Sequence, residues 1–198
     1  HKARIAAYAD DMVREALRHQ ASWRDGERVE MVDEMTSMTF AIVGRTLFDS
    51  DLTGDAKTFG DTLEELMAGF GQLSALGNER IVRALPQGRR LLAKVDDLDA
   101  VVQRMISEHR ADLARGVERP DLLTWMIEAH DAEGAERYGE TMTDEQLRDE
   151  VMTMVLAGHE TTAMALSWTW WLLSSNPAAY DRLVAELDAV LADPAGGT

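Results

Sequence analysis

Residues Met142 to Ser175 read MTDEQLRDEVMTMVLAGHETTAMALSWTWWLLSS, and this stretch decides the fold. Thr143 and Gln146 have the S/T-x-x-E/Q spacing of a capping box, which satisfies two amide donors that a helix start leaves open. Asp144, Glu145 and Asp149 put negative charge at the positive end of the helix dipole. No proline follows until Pro177, so the spacing predicts one long helix. From Val151 to Leu173 it is almost entirely apolar, the pattern of a helix buried on most sides. Its middle nevertheless holds Gly158, His159, Glu160, Thr161 and Thr162, and polar groups buried there need partners. An acidic start, a central His-Glu pair and the lack of 18 uninterrupted apolar residues argue against a membrane span. A soluble central helix is the expectation.

The rest of the chain supplies helices to pack around it. Lys2 to about Gln20 carries Ile5, Ala9, Met12, Ala16 and Leu17 at helical spacing, widened by Tyr8 and Val13. A short loop at Trp23 to Gly26 precedes a second helix, Glu30 to Leu47, with Met31, Met35, Met38, Ile42 and Val43. Its methionines suit either irregular core filling or a binding groove, and filling is the commoner use. Asp49, Ser50, Asp51 and Gly54 form a polar break. A helix from about Ala56 carries Phe59, Leu63, Leu66, Met67 and Phe70, and runs into GFGQLSALGN, a turn or an adaptable loop. A long helix then runs from Gln87 or Gly88 to about Arg115, with Leu91, Leu92, Val95, Leu98, Val102, Met105, Ile106 and Leu113 as its buried face. Gly116 and Pro120 stop it. Asp121 to His130 forms a short helix, AEGAERYGE a charged loop, and Asn176-Pro177 an N-cap and first helical position for the last helix. Alternating strand patterns are nearly absent. The expected class is all-α, with residues 1–198 as one domain.

Composition narrows the function. At 198 residues and 45% hydrophobic content the chain can bury a substantial core. A formal net charge of -16 opposes a nucleic-acid surface, which concentrates Lys and Arg on one face. There is no cysteine, hence no disulfide, thiolate metal site or cysteine nucleophile within these residues. The start, HKARIAAYADDM, is already helical in rhythm and lacks the apolar segment of a signal peptide. Cytoplasmic location is expected. Both ends read as the edges of a fragment.

The motifs that carry metal or nucleotide chemistry elsewhere are missing. His159-Glu160 begins a zinc-protease pattern, but Ala163 stands where the second histidine belongs. Glu15, Glu108, Glu128 and Glu160 all lack the histidine three residues later that a di-iron bundle uses. His1, His19, His109 and His130 have hydrophilic neighbours and are expected at the surface. Arg80, Arg83, Arg89 and Arg90 read as a solvated or packing face. What remains is AGHETT, Ala157 to Thr162. Ala157 and Thr161 stack on one helical face, with Gly158 and Thr162 beside them. Ala157 and Gly158 leave room for something flat or bulky near the backbone. Thr161 is placed to donate to the Ala157 carbonyl and to position a water, and Glu160 adds a titratable group beside it. A cofactor face with a proton relay fits these residues. So does a tight helix crossing with Glu160 in a buried ion pair, and the residues alone leave both open.

AGHETT inside a long apolar helix, preceded by TDEQLRDEV and followed by LSSNP, resembles the central helix of the cytochrome P-450 haem-thiolate monooxygenases, in their bacterial type. MTSMTFAIVGRTLFDSDL (Met35 to Leu52) is similar to an earlier helix of that fold, and RPDLLTWMIEAHD (Arg119 to Asp131) to the segment before the central helix. The resemblance implies an internal part of the fold, helices D to J in the family's lettering. It implies Thr161 and Glu160 as the acid-alcohol pair that organises water and delivers protons during O–O cleavage. It further implies Ala157, Gly158 and Thr161 against the haem, and Leu156, Ala157 and Phe70 at the substrate pocket. O2, a hydrophobic small-molecule substrate, electrons ultimately from NAD(P)H and a redox partner or fused reductase come with it. No metal ligand is expected here, because the family's iron is held by a cysteine and this chain has none. The expectation is therefore a haem monooxygenase when full length, with the fragment alone inactive. A non-enzymatic helical scaffold or truncated remnant is the alternative.

Overall fold

In the computed structural model the described residues are 2–56, 58–62, 65, 84–117, 119–129 and 143–191, without the side chains of 2–5 and 7. Six helices organise them: α1 (Lys2–Gln20), α2 (Met31–Phe48), α3 (Pro86–Ala114), α4 (Leu122–Glu128), α5 (Asp144–Ser175) and α6 (Pro177–Leu191). Residues 58–62 are helical as well, and no strand occurs among the described residues. The all-α class holds. Phe70, the GFGQLSALGN stretch, Arg80, Arg83, His1, His130 and the AEGAERYGE loop lie outside the described residues.

The helix ends follow local chemistry. Thr143 Oγ1 accepts from the Gln146 amide at 3.2 Å and Gln146 Oε1 accepts from the Thr143 amide at 2.8 Å, closing the capping box of α5. Asp121 caps α4 by accepting from the Thr124 amide at 2.7 Å. α2 ends on Asp49, whose φ of 41° lies in the left-handed region and lets the Ser50 amide reach back to the Gly44 carbonyl. Asn176 stands before Pro177 as expected, its carbonyl accepting from the Tyr180 amide at 3.1 Å to open α6, but its side chain serves the other helix: Nδ2 donates to the Leu172 carbonyl at 2.8 Å, finishing α5.

α2 and α5 share the most extensive interface, and α3 and α4 close over it. One core joins Phe40, Val43 and Phe48 of α2, then Leu52 and Phe59, with Leu98, Val102, Met105 and Ile106 of α3, Leu123 and Ile127 of α4, and Leu147, Val151 and Val155 of α5. Burial of each such side chain contributes about 1.5–3 kcal/mol. The Phe40 and Phe59 rings meet at 4.6 Å. Met35 and Met105 are both buried, so these two methionines fill core. A polar seam borders it, with Arg148 donating to Asp99 and Arg110 to Asp144.

Gly44 is where α2 and its returning chain come closest. A Cβ added there would lie 2.9 Å from Leu52 Cγ and 2.9 Å from the Ser50 carbonyl oxygen. The second contact is backbone and gives way only if the turn opens. Gly44→Ala is therefore expected to destabilise by about 1–3 kcal/mol, the usual cost of overpacking, read as a lowered urea midpoint at unchanged slope.

Three expectations are corrected. His109 is fully buried, not exposed: its Nδ1 donates to the Met105 carbonyl at 2.9 Å and its Nε2 lies 3.0 Å from Asp121 Oδ2. His19 is half-buried, with Nε2 2.6 Å from Glu34 Oε2, an oxygen that also accepts from Trp23 Nε1. α5 is buried along one stripe, Leu147, Val151, Val155, His159, Ala163 and Ser167, rather than on most sides. Beyond Ala163 its apolar residues face outward, with Trp168 at 56% and Trp171 at 58% exposure. The apolar face of α6 is likewise uncovered among the described residues, and Met12, Val13 and Leu17 of α1 are exposed.

Candidate functional site

The stripe of α5 that enters the core dictates what its middle presents elsewhere. Successive residues turn by about 100°, so Ala157 and Thr161 each stand roughly 200° from a buried neighbour two positions away, Val155 and His159 respectively. Ala157, Glu160 and Thr161 are accordingly exposed. Thr161 Oγ1 donates to the Ala157 carbonyl at 3.0 Å, and Thr162 Oγ1 to the Gly158 carbonyl at 3.3 Å. Each hydroxyl proton is thus committed within the helix, leaving oxygen lone pairs to accept from a water.

The other members of the motif turn inward. His159 is buried, its ring edge-on to Phe40 with centroids 5.0 Å apart. Its Nδ1 donates to the Val155 carbonyl at 2.7 Å, and its own carbonyl accepts from Thr39 Oγ1 at 3.1 Å. Burial pushes the imidazole below its ordinary value; the Val155 carbonyl and the Glu160 charge oppose this without reversing it. A histidine held neutral in the fold must gain a proton on unfolding below about pH 6.5, its usual value. The unfolded state then binds more protons, and stability falls as pH drops below that point. Urea midpoints measured between pH 7.5 and 5.5 are expected to decline, and less steeply in His159→Phe.

Gly158 is half-buried at the helix crossing, where an added Cβ would lie 3.1 Å from Val43 Cγ2. The two open readings of AGHETT thus divide between its residues. Gly158 and His159 make a close crossing with α2, while Ala157, Glu160 and Thr161 stay on the uncovered side. Glu160 is exposed and in no buried ion pair. Leu156 is partly buried against the core, and Phe70 lies outside the described residues.

The uncovered side suits one role for a flat cofactor and not another. Ala157 and Thr161 offer small side chains and a hydroxyl with free lone pairs, so a planar group can approach the helix there. Neither side chain is an iron ligand. Among the described residues no group of three or more His, Asp or Glu side chains gathers to hold a metal ion. These residues fit a wall beside haem, not its ligand set.

The chain belongs to the cytochrome P450 family, whose model matches residues 2–196. It is similar to a cyclooctatin synthase from Streptomyces melanosporofaciens, 34% identical over 193 residues, covering 96% of this chain and 41% of that protein. A pentalenene oxygenase from Streptomyces avermitilis is 29% identical over 191 residues, with the same coverages of 96% and 41%. A putative cytochrome P450 135A1 from Mycobacterium tuberculosis is 27% identical over 190 residues, covering 92% and 39%. The chain spans about two-fifths of the length of these relatives. No helix among the described residues is long and apolar enough to cross a membrane.

The buried His109 escaped the sequence reading, although a signal existed. It follows Leu98, Val102 and Met105 at spacings of four, three and four, which puts it on the buried stripe of α3. Its charged neighbours Glu108 and Arg110 belong to other faces.

Proposed function

We propose that the full-length protein is a haem-dependent monooxygenase that inserts one atom of O2 into a hydrophobic organic substrate. Electrons come from NAD(P)H through a separate or fused redox partner. Residues 1–198 form one domain part of it, cytoplasmic and inactive alone, and the axial thiolate comes from sequence beyond these residues. The observation that carries this reading is the acid-alcohol pair on the uncovered side of α5, beside Ala157, in a chain of this family.

Haem, when bound, supplies the oxygen-activating chemistry. The residues of this chain supply placement and protons. Ala157 keeps the helix surface on the uncovered side low enough for the cofactor to approach, while Gly158, the other residue expected there, is taken up by the crossing with α2. Thr161 commits its proton to the Ala157 carbonyl and so presents lone pairs, holding a water as hydrogen-bond acceptor. Glu160, one residue away and open to solvent, exchanges protons with that water, the arrangement of general acid catalysis through a relay. Leu156 and Ala157 border an apolar pocket that selects a hydrophobic substrate.

The test supplies the full-length, haem-loaded protein with an NAD(P)H-driven reductase and isotopically labelled dioxygen. Pentalenene, the compound in one relative's name, is the first probe, followed by a panel of hydrophobic molecules. One labelled oxygen atom per product is expected. Oxygen drawn from water contradicts the proposal, and no oxygenated product across the panel contradicts it and favours a helical scaffold.

A further inference from the structure

We propose that Thr39 of α2 is a positioning residue for the Glu160–Thr161 pair, acting through the carbonyl of His159. The inference rests on the reading of that pair as a proton relay. Three consecutive carbonyls of α5 each receive a hydroxyl. Ala157 accepts from Thr161 at 3.0 Å, Gly158 from Thr162 at 3.3 Å, and His159 from Thr39 at 3.1 Å. In a regular helix these carbonyls already accept the amides four residues on. A second donor draws a carbonyl out of line and bends the helix locally. Two of these donors belong to α5 itself. The third comes from another helix and is buried, and among the described residues it is the one hydrogen bond crossing between α2 and α5.

Thr39 has a single hydroxyl proton and three acceptors in reach: the Met35 carbonyl at 2.8 Å, the Thr36 carbonyl at 3.2 Å and the His159 carbonyl at 3.1 Å. The first two are bonds that a threonine within a helix makes to its own turn. The third needs α5 close by, which the bare Gly158 beside Val43 permits. Gly158 admits α2, and Thr39 grips the next carbonyl.

This grip fixes the rotation of α5 about its own axis. Apolar packing is non-directional and tolerates small rotations. A hydrogen bond weakens steeply with angle. With the His159 carbonyl held from the core side and its ring seated on Phe40, Thr161 is set about 200° away, facing the uncovered side. Loss of the bond lets the motif rotate and moves the hydroxyl relative to whatever lies against it.

The test compares Thr39→Val and Thr39→Ser with wild type and Thr161→Ala in the full-length, haem-loaded protein with its reductase. Thr39→Val keeps the side-chain shape and removes the donor. It is expected to lower product formed per NAD(P)H consumed several-fold at equal haem content, and Thr39→Ser to restore it. Independently of activity, the Ala163 amide, the ladder partner of the His159 carbonyl, is expected to change its hydrogen-exchange rate several-fold in Thr39→Val. Amides of residues 147–151 stay as they were. Should Thr39→Val fail to hold haem, Thr39→Ala carries the same two readouts. A lowered thermal midpoint with unchanged coupling and unchanged Ala163 exchange would make Thr39 merely structural and overturn the inference. If Thr161→Ala lowers coupling and Thr39→Val does not, this inference alone fails. If Thr161→Ala has no effect, the reading of the pair fails and takes the inference with it.

Discussion

Thr161→Ala in the full-length, haem-loaded protein is expected to lower product formed per NAD(P)H consumed by about tenfold or more, with oxygen uptake continuing. A positioned proton donor or relay contributes roughly 10²–10⁴-fold to rate, so about tenfold is the least that removing the water-holding hydroxyl predicts. The substitution leaves the fold intact on physical grounds. Thr161 is exposed, and among the described residues its hydroxyl bonds only to the Ala157 carbonyl, which keeps its amide partner in the helix. Thr162→Ala is the matched control. Its hydroxyl makes the same kind of back-bond, to Gly158, but stands about 100° further round the helix. Coupling is expected to survive that change. Equal losses in both variants would mean that loosening the helix, and not the water held by Thr161, is what matters.

Asp121→Ala is expected to be the most destabilising of the substitutions considered, at about 3–5 kcal/mol, the usual cost of removing one partner from a buried charged pair. The carboxylate does two jobs. Oδ1 caps α4 through the Thr124 amide at 2.7 Å, and Oδ2 faces the fully buried His109 Nε2 at 3.0 Å. Alanine strands both donors. Nearby, Arg119 donates to Asp112 and to the Asp49 carbonyl, so the same corner ties the ends of α2 and α3 to the start of α4. Burial raises the Asp121 carboxyl, but the His109 and Thr124 hydrogen bonds and the His109 charge together hold it below its ordinary 3.8. A carboxyl depressed in the fold contributes stability that is complete above the unfolded value and lost as pH falls through the folded one. That loss lies below about pH 4, well separated from the His159 window. Denaturant unfolding of Asp121→Ala, His109→Ala and the double variant isolates the pair. A change under 1 kcal/mol in Asp121→Ala would count against a buried charged pair.

Several of these features were legible from residue spacing alone. The capping box at Thr143 and Gln146 and the Thr161 back-bond depend only on residues three or four apart, and both formed as their spacing implied. Contacts between helices were not legible in that way. Nothing local to Thr39 shows that its hydroxyl meets a carbonyl 120 positions later. Apolarity also measures what a surface needs, not what covers it. The run from Met164 to Leu173 reads as buried on most sides, yet only one stripe of it packs among the described residues. Asn176 shows the limit of cap reading: its position at the start of α6 followed from the sequence, but its side chain turned back to the Leu172 carbonyl at the end of α5.

The Ala157–Thr161 side of α5, and not its α2 side, is the one proposed to lie against the haem. Methyl resonances of labelled Ala, Thr and Val in the full-length protein test it directly, because ferric haem broadens nearby methyls far more than distant ones. Strong broadening of the Ala157 and Thr161 methyls is expected, with Val155 and Ala163, both in the core stripe, affected less. Stronger broadening at Val155 and Ala163 than at Ala157 and Thr161 would contradict it.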